Sequence, residues 1–458
     1  MKIYNTLSRK KENFIPLKKG HVGIYTCGPT VYWYQHVGNL RSYIFSDILR
    51  RTLEYNGYKV NHIINVTDVG HLTSDADYGE DKMEEAAQKE GKSAAVIAEY
   101  YLNIFKEDLK KLNILSPNKW PKATEHIKEQ IELIKKLEKK GLTYKTNNGI
   151  YFDTSKISDY GKLARLKIED LKIAASGAAV LSLEGKKNKT DFALWKFSRV
   201  PGKRQQEWDS PWGIGFPSWH IECSAMSIKY LGEQFDIHTG GEDHIPVHHT
   251  NEIAQSEGAY NKKPWVKYWM HGAFLTFEGG KMSKSSGKIK TISELEEQEI
   301  SPLDYRYFTF LAHYRKPLTW SEEALKNSKV SLKRLKNIIL EIKDDGKENK
   351  EYLKRFEKSI NDDLNIPQAL AILWRLVRDE KAIGKYRAIK KMDQVFGLDL
   401  LKKEELNVPK EIKNLAEERK KVRNNFDWKT SDELRDKINL LGWNIKDTKE
   451  AYVLEKLG

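Results

Sequence analysis

Near the N-terminus a short apolar run, a glycine-bearing loop, an amphipathic stretch and a second apolar run follow one another within about the length of one βαβ unit, and that order leaves few folds open. Val22 to Thr26 reads as a short buried strand. Asn39 to Tyr55 reads as a helix with Ile44, Ile48, Leu49 and Leu53 on one side and Gly57 as its stop, and Val60 to Val66 reads as the next strand. Strands joined through a helix lie parallel, so the spacing predicts an α/β fold with a Rossmann-type parallel sheet. The crossover loop carries Cys27-Gly28-Pro29-Thr30 and then His36-Val37-Gly38-Asn39.

Two long amphipathic stretches, Glu80 to Leu112 and Thr124 to Lys140 with Gly141 as a cap, predict a helical insertion over about residues 75–190 that interrupts the sheet. The pattern turns extended again at Gly149 to Asp153 and around Phe192 to Lys196, and the densest motifs run from Trp208 to Lys288. After Ser301-Pro302, a helix start with proline at the first position, the stretches Leu303 to His313, Ser321 to Asp344, Tyr352 to Ile360, Pro367 to Arg378 and Ile412 to Val422 alternate apolar and lysine-rich faces. Three parts follow: a catalytic body over 1–300, an α-helical bundle over 301–405, and a small C-terminal unit over 406–458. The lysine-rich stretch from Lys343 to Lys350 reads as a solvated loop.

A chain of 458 residues, 39% of them hydrophobic, can bury several cores. No apolar run is long enough to span a membrane and the N-terminus lacks a signal-peptide core, so a soluble, cytoplasmic protein without a membrane partner is expected. The net charge of +14 suits a polyanionic partner as well as it suits plain solubility. With only Cys27 and Cys223 in such a chain, a structural disulfide is not expected, which leaves metal ligation or burial.

A loop that opens onto a helix presents N–H groups and a partial positive charge, which places His36, Gly38 and Asn39 to receive phosphates. Lys281-Met282-Ser283-Lys284-Ser285 lies between Gly279-Gly280 and Gly287, and two lysines in a glycine-flanked loop can swing onto a triphosphate. Each motif alone has a bland reading, a turn histidine or a solvated loop; together they form the paired signature of class I aminoacyl-tRNA synthetases. Cys223, with His248 and Glu252 four apart on one helix face, supplies zinc donors, and Cys27 beside the phosphate loop is the fourth candidate. Both cysteines could instead be small buried hydrophobes.

The strings TCGPTVYWYQHVGN, GIYFDTSKISDYGKL, DFALWK, WHIECSAMS, FDIHTGGEDHIPVHHTNEIAQSEG and YWMHGAFLTFEGGKMSKSSGK resemble the cysteinyl-tRNA synthetase family, as do YFTFLAHYRKPLTWSEE and INDDLNIPQALAIL further on. The resemblance implies one zinc ion on Cys27, Cys223, His248 and Glu252, and cysteine contacts from Thr67, Trp219 and His238. It implies nucleotide contacts from Gly28, Gly38, Gly240, Gly241, Asp243 and Lys284, and catalysis by His36, Asn39, Lys281 and Lys284. Trp33, Gln35, Ser286 and Lys288 depart from the commoner family pattern without removing a ligand or a lysine.

The expected reaction is activation of cysteine by ATP with Mg2+ and transfer to tRNA(Cys), by a monomer. Two other readings stay open here. One is a related ligase of mycothiol synthesis that lacks an anticodon-binding extension, which Asp427-Trp428-Lys429 and Asp432 to Asp436 argue against. The other is an inert zinc-containing RNA-binding protein, which would need neither lysine loop nor phosphate loop.

Overall fold

Apolar runs without a polar alternate place strands inside a parallel sheet covered on both faces. Val22, Ile24 and Tyr25 are buried on one such strand, and Ile63 and Ile64 on its neighbour. The computed structural model describes residues 1–69, 82–165, 185–277, 280–281, 290–403, 408–448 and 452–456, which fall into two units, Met1–Leu400 and Leu401–Gly458.

The first unit begins with an antiparallel hairpin, β1 (Lys2–Asn5) and β2 (Lys10–Asn13). The expected βαβ unit follows as β3 (His21–Thr26), α1 (Val37–Tyr55) and β4 (Lys59–Ile64). Next come α2 (Lys82–Glu90), α3 (Ala94–Lys111), α4 (Ile127–Lys139) and the strands β5 (Thr143–Thr146), β6 (Gly149–Phe152), β7 (Phe192–Phe197) and β8 (Gly215–Pro217). The chain then returns through α5 (Trp219–Leu231), β9 (Phe235–Gly241), α6 (His248–Tyr260) and β10 (Val266–Gly272).

The central sheet has the order β10-β9-β3-β4, all parallel. From β3 the chain crosses outward to β4, and much later it returns to the other side of β3 as β9. Between β3 and β9, therefore, the winding reverses, and the loops at their C-terminal ends diverge to leave a crevice. Cys27 follows β3 and Gly240-Gly241 ends β9, so the motifs meet at this point.

The insertion differs from the helical one expected over about 75–190. Gly91, at φ 62°, ends α2, and Ser93 caps α3 by accepting from the Val96 N–H, so the single helix read over Glu80 to Leu112 is two. The chain also builds a four-stranded antiparallel sheet, β5-β6-β7-β8, with Phe152, Phe192 and Trp195 packed against Leu133 and Leu137 of α4.

Beyond the sheet lie α7 (Ile292–Glu297), α8 (Pro302–Thr309), α9 (Glu322–Leu340), α10 (Lys350–Ile360), α11 (Ile366–Arg378) and α12 (Lys385–Phe396). Ser301 and Asp304 form a capping box with Pro302 at the first position, which explains why the helix starts there; it stops at Thr309 rather than His313. These helices belong to the same unit as the sheet. The second unit packs α13 (Lys410–Asn424) and α14 (Trp428–Leu440) on a hairpin of Trp443–Asp447 and Tyr452–Lys456, around Ile412, Ala416, Ile438 and Ile445. Among the described residues no helix is long and apolar enough to cross a membrane.

Candidate metal centre and nucleotide cleft

The crevice is a cavity of about 360 Å³ lined by Cys27, Gly28, His36, Gly38, Asn39, Trp219, Gly240, Gly241, Asp243 and His248. Residues far apart in sequence are gathered because the sheet places the ends of β3 and β9 side by side and α1, α5 and α6 begin there. Glycine at 28 is required by packing: a Cβ would sit 1.6 Å from the Asn65 carbonyl oxygen, and the Gly28 N–H donates to Asn65 Oδ1 at 2.8 Å. At Gly240 a Cβ would come within 2.7 Å of His244 and His249.

The phosphate loop is more tightly tied than its sequence suggests. His36 is the N-cap of α1 and its Nδ1 accepts from the Asn39 N–H at 3.2 Å, while the Val37 N–H donates to the Lys290 carbonyl at 2.9 Å. A ring that accepts at Nδ1 carries its proton on Nε2, so His36 is a neutral donor in the cavity wall. This bond ties Lys290 to the first turn of α1.

Cys27 stands just past β3, Cys223 in the second turn of α5, and His248 and Glu252 on one face of α6. One donor atom from each lies within 4.8 Å of the others, and all four residues are buried. Tetrahedral zinc with bonds of about 2.0–2.3 Å requires donors about 3.3–3.8 Å apart, which small side-chain adjustments from this arrangement supply. A second group, Cys27, His238, His249 and Glu252, is equally close. Its atoms are already paired with one another: His238 Nε2 with Glu252 Oε2 at 3.0 Å, and Cys27 Sγ with His249 Nε2 at 3.2 Å. In the first group His248 Nε2 and Glu252 Oε1 form a buried ion pair at 2.9 Å. The first set, with two sulfurs, an imidazole and a carboxylate, has the donor chemistry that suits zinc.

Electrostatics agree with that assignment. Burial pushes the Cys27 thiol up, and Cys223, which accepts its proton, pushes it further. Cys223 is brought down to about 6 despite burial, by that hydrogen bond and by His248. Burial opposes charge on His248, yet Glu252 and Cys223 raise it to about 10, and Glu252 is lowered to about 2 against its own desolvation by His238 and His248. Two anionic donors thus lie beside two protons that a divalent cation would displace.

Residues 13–330 match the model of the class I (C) tRNA synthetase catalytic domain. A cysteine–tRNA ligase of Burkholderia lata is 48% identical across 99% of this chain and 96% of its own length. One from Treponema denticola is 44% identical across 100% of both. The chain belongs to the class I cysteine–tRNA ligase family. Among solved structures, a Mycobacterium tuberculosis methionyl-tRNA synthetase in complex with methionyl-adenylate shares the fold at TM-score 0.57 and 16% identity, covering 82% of this chain and 90% of that one. The Agrobacterium radiobacter K84 LeuRS–tRNA–LeuAMS ternary complex does so at TM-score 0.56 and 12% identity, covering 84% of each chain.

In this family member Trp219 stacks on the His248 ring with centroids 3.8 Å apart, so one residue expected at the substrate borders both cavity and donor set. Thr67 and His238 are buried and outside the cavity lining. The Thr67 hydroxyl accepts from Asn65 Nδ2 at 3.2 Å and its N–H donates to the Pro29 carbonyl at 3.0 Å, which braces the Cys27 loop; His238 holds Glu252. Lys281 is described in its backbone alone, pairing with Thr276, and Lys284 lies outside the described residues.

Sequence reasoning missed the polar scaffold around the donors. His249 Nδ1 meets His271 Nε2 at 2.8 Å and His271 Nδ1 meets the Thr6 hydroxyl at 2.8 Å; burial, then neighbouring histidines, push both rings well below the usual range. The doubled histidine at 248–249 was the available signal. His271 had none, because only the register of β10 on β9 brings it there.

Proposed function

We propose that the chain activates cysteine with ATP and Mg2+ and transfers it to tRNA(Cys), and that zinc on Cys27, Cys223, His248 and Glu252 selects the amino acid. The observation that carries this reading is the convergence of two sulfurs, an imidazole and a carboxylate beside the cavity onto which α1 opens. Zinc held by these four residues would supply a thiophilic centre able to expand its coordination to take the substrate thiolate, for which a serine hydroxyl, which stays protonated, is a poor substitute. A purely apolar pocket would separate two such near-isosteres by only ~1–3 kcal/mol.

Trp219 closes one side of the amino-acid end. His238 and His249 orient Glu252 and Cys27 through the hydrogen bonds described above. Gly240, Gly241 and Asp243 border the nucleotide end with Gly28 and Gly38. The cysteine carboxylate attacks the α-phosphorus of ATP, the bond to the bridging oxygen breaks, and pyrophosphate leaves. His36 donates from Nε2 to a phosphoryl oxygen, Asn39 positions the phosphates, and Lys281 and Lys284 offset the charge that develops. A hydroxyl of the terminal tRNA adenosine then attacks the cysteinyl carbonyl, the anhydride bond to the phosphate breaks, and AMP leaves with the aminoacyl group now on the tRNA, within a single chain.

Cysteine-dependent ATP–pyrophosphate exchange followed by charging of a cysteine tRNA transcript tests this. Serine should support neither. Absence of exchange with cysteine, or equal exchange with serine, overturns the reading. Lys284→Ala should slow adenylate formation at least tenfold, about 1.4 kcal/mol, while cysteine binding holds; a rate within threefold of wild type removes Lys284 from the catalytic set.

A further inference from the structure

Trp33 lies on the phosphate loop between Thr30 and His36, lines the cavity, and is 42% exposed. Its ring rests on Tyr101 of α3 with centroids 5.8 Å apart, and Tyr34 meets the same Tyr101 edge-on at 5.2 Å. Tyr101 is itself buried and pinned by its hydroxyl, which donates to Glu90 at 2.9 Å. The preceding residue, Tyr100, is 47% exposed and contacts Tyr101 edge-on at 5.1 Å. One turn earlier on the same helix face, Val96 is 53% exposed. Lys89 lies 6.0 Å over the Trp33 ring and Lys92 lies 5.6 Å over the Tyr100 ring.

Exposed rings held rigidly from behind, interleaved with cations, form the kind of surface on which unpaired bases stack while ammonium groups face the backbone phosphates. This surface runs from α3 along Trp33 to the cavity, and among the described residues its acidic groups Glu90 and Glu99 are engaged by Tyr101 and Lys92 and by Lys122. We propose that Trp33 and Tyr100 form a stacking platform for the unpaired 3′ end of the tRNA, guiding it along α3 into the cavity. The proposal rests on the tRNA-charging reading above and names the surface that reading leaves unassigned. Adenine is also part of ATP, so the same ring chemistry has a second possible source, and the two are separated by experiment.

The test measures binding of an intact cysteine tRNA transcript and of the same transcript trimmed of its unpaired 3′ nucleotides, with wild type, Trp33→Ala, Tyr100→Ala and the corresponding phenylalanine variants. Trimming should weaken wild-type binding about tenfold. Trp33→Ala and Tyr100→Ala should bind intact tRNA as weakly as wild type binds the trimmed form, trimming should then cost them little more, and the phenylalanine variants should recover most of the loss. Tyr100→Ala, outside the cavity, should leave pyrophosphate exchange without tRNA unchanged. Wild-type affinity for intact tRNA in both alanine variants, or an equal cost of trimming in variants and wild type, overturns the proposal. It also falls if Trp33→Ala raises KM for ATP in exchange while tRNA binding holds, because the stacked adenine would then be that of ATP. Failure of wild type itself to charge tRNA would count against the functional reading rather than against the platform.

Discussion

At the scale of single residues, the floor of the cavity is governed by buried groups whose protons and partners are few. Replacing Cys223, fully buried and the sulfur most readily ionised, should cost the protein its metal: Cys223→Ala is expected to retain well under half an equivalent of zinc where wild type retains one, and to lose preference for cysteine over serine in exchange assays. Full metal retention with unchanged cysteine affinity would count against the assignment. His62 reports on the sheet beneath. It is 2% exposed, its Nε2 meets the Thr26 hydroxyl at 2.8 Å, and burial, then Arg50, hold its pKa down to about 3 against an ordinary 6.5. The folded state therefore binds the proton less readily than the unfolded state. Its contribution is fully present above pH 6.5 and is lost as pH falls toward 3, by an amount on the order of 5 kcal/mol. Urea midpoints measured from pH 7 to 4 should fall less steeply for His62→Gln than for wild type; parallel curves would refute this.

At the scale of elements, α1 is the hub. Asp47, buried on α1, pairs with Arg51 at 2.8 Å and with Arg306 of α8, and accepts from the Leu115 N–H at 2.9 Å. Arg306 is fully buried and also donates to the Leu112 and Phe396 carbonyls, so one guanidinium joins the sheet helix, the insertion and the bundle. Arg306→Met should destabilise the first unfolding transition by about 3–5 kcal/mol, because it strips a buried carboxylate of a partner, and Asp47→Asn combined with it should recover part of that loss. Equal losses in single and double variants would show that the pair does not couple. The same network explains why the bundle belongs to one unit with the catalytic sheet, although the change of pattern at Ser301-Pro302 reads as a boundary.

For the whole molecule, the division lies between Leu400 and Leu401. The second unit has its own core and a buried Arg419 held by Asp447 at 2.7 Å, while Phe426 and Trp428 stand 76% and 53% exposed with Arg423 5.2 Å over the Trp428 ring. Ending the chain after Leu400 removes no cavity residue, so cysteine-dependent exchange should largely survive while tRNA charging falls by at least tenfold and becomes less dependent on salt. Equal charging by the shortened and full chains across a range of salt would show that the second unit does not read tRNA.

The sequence by itself determined the βαβ opening and the helix start at Ser301, because each is written in local spacing, and it offered His248 and Glu252 as donors one helical turn apart. Tertiary structure decided the rest. That α2 and α3 are separate, that β5 to β8 pair into one antiparallel sheet, and that Gly28 answers to the Asn65 backbone depend on which segments meet, and no local period records such a meeting. The two overlapping donor sets share Cys27 and Glu252, and the hydrogen bonds of His238 and His249 to them exist only once the ends of β3 and β9 and the start of α6 have packed together.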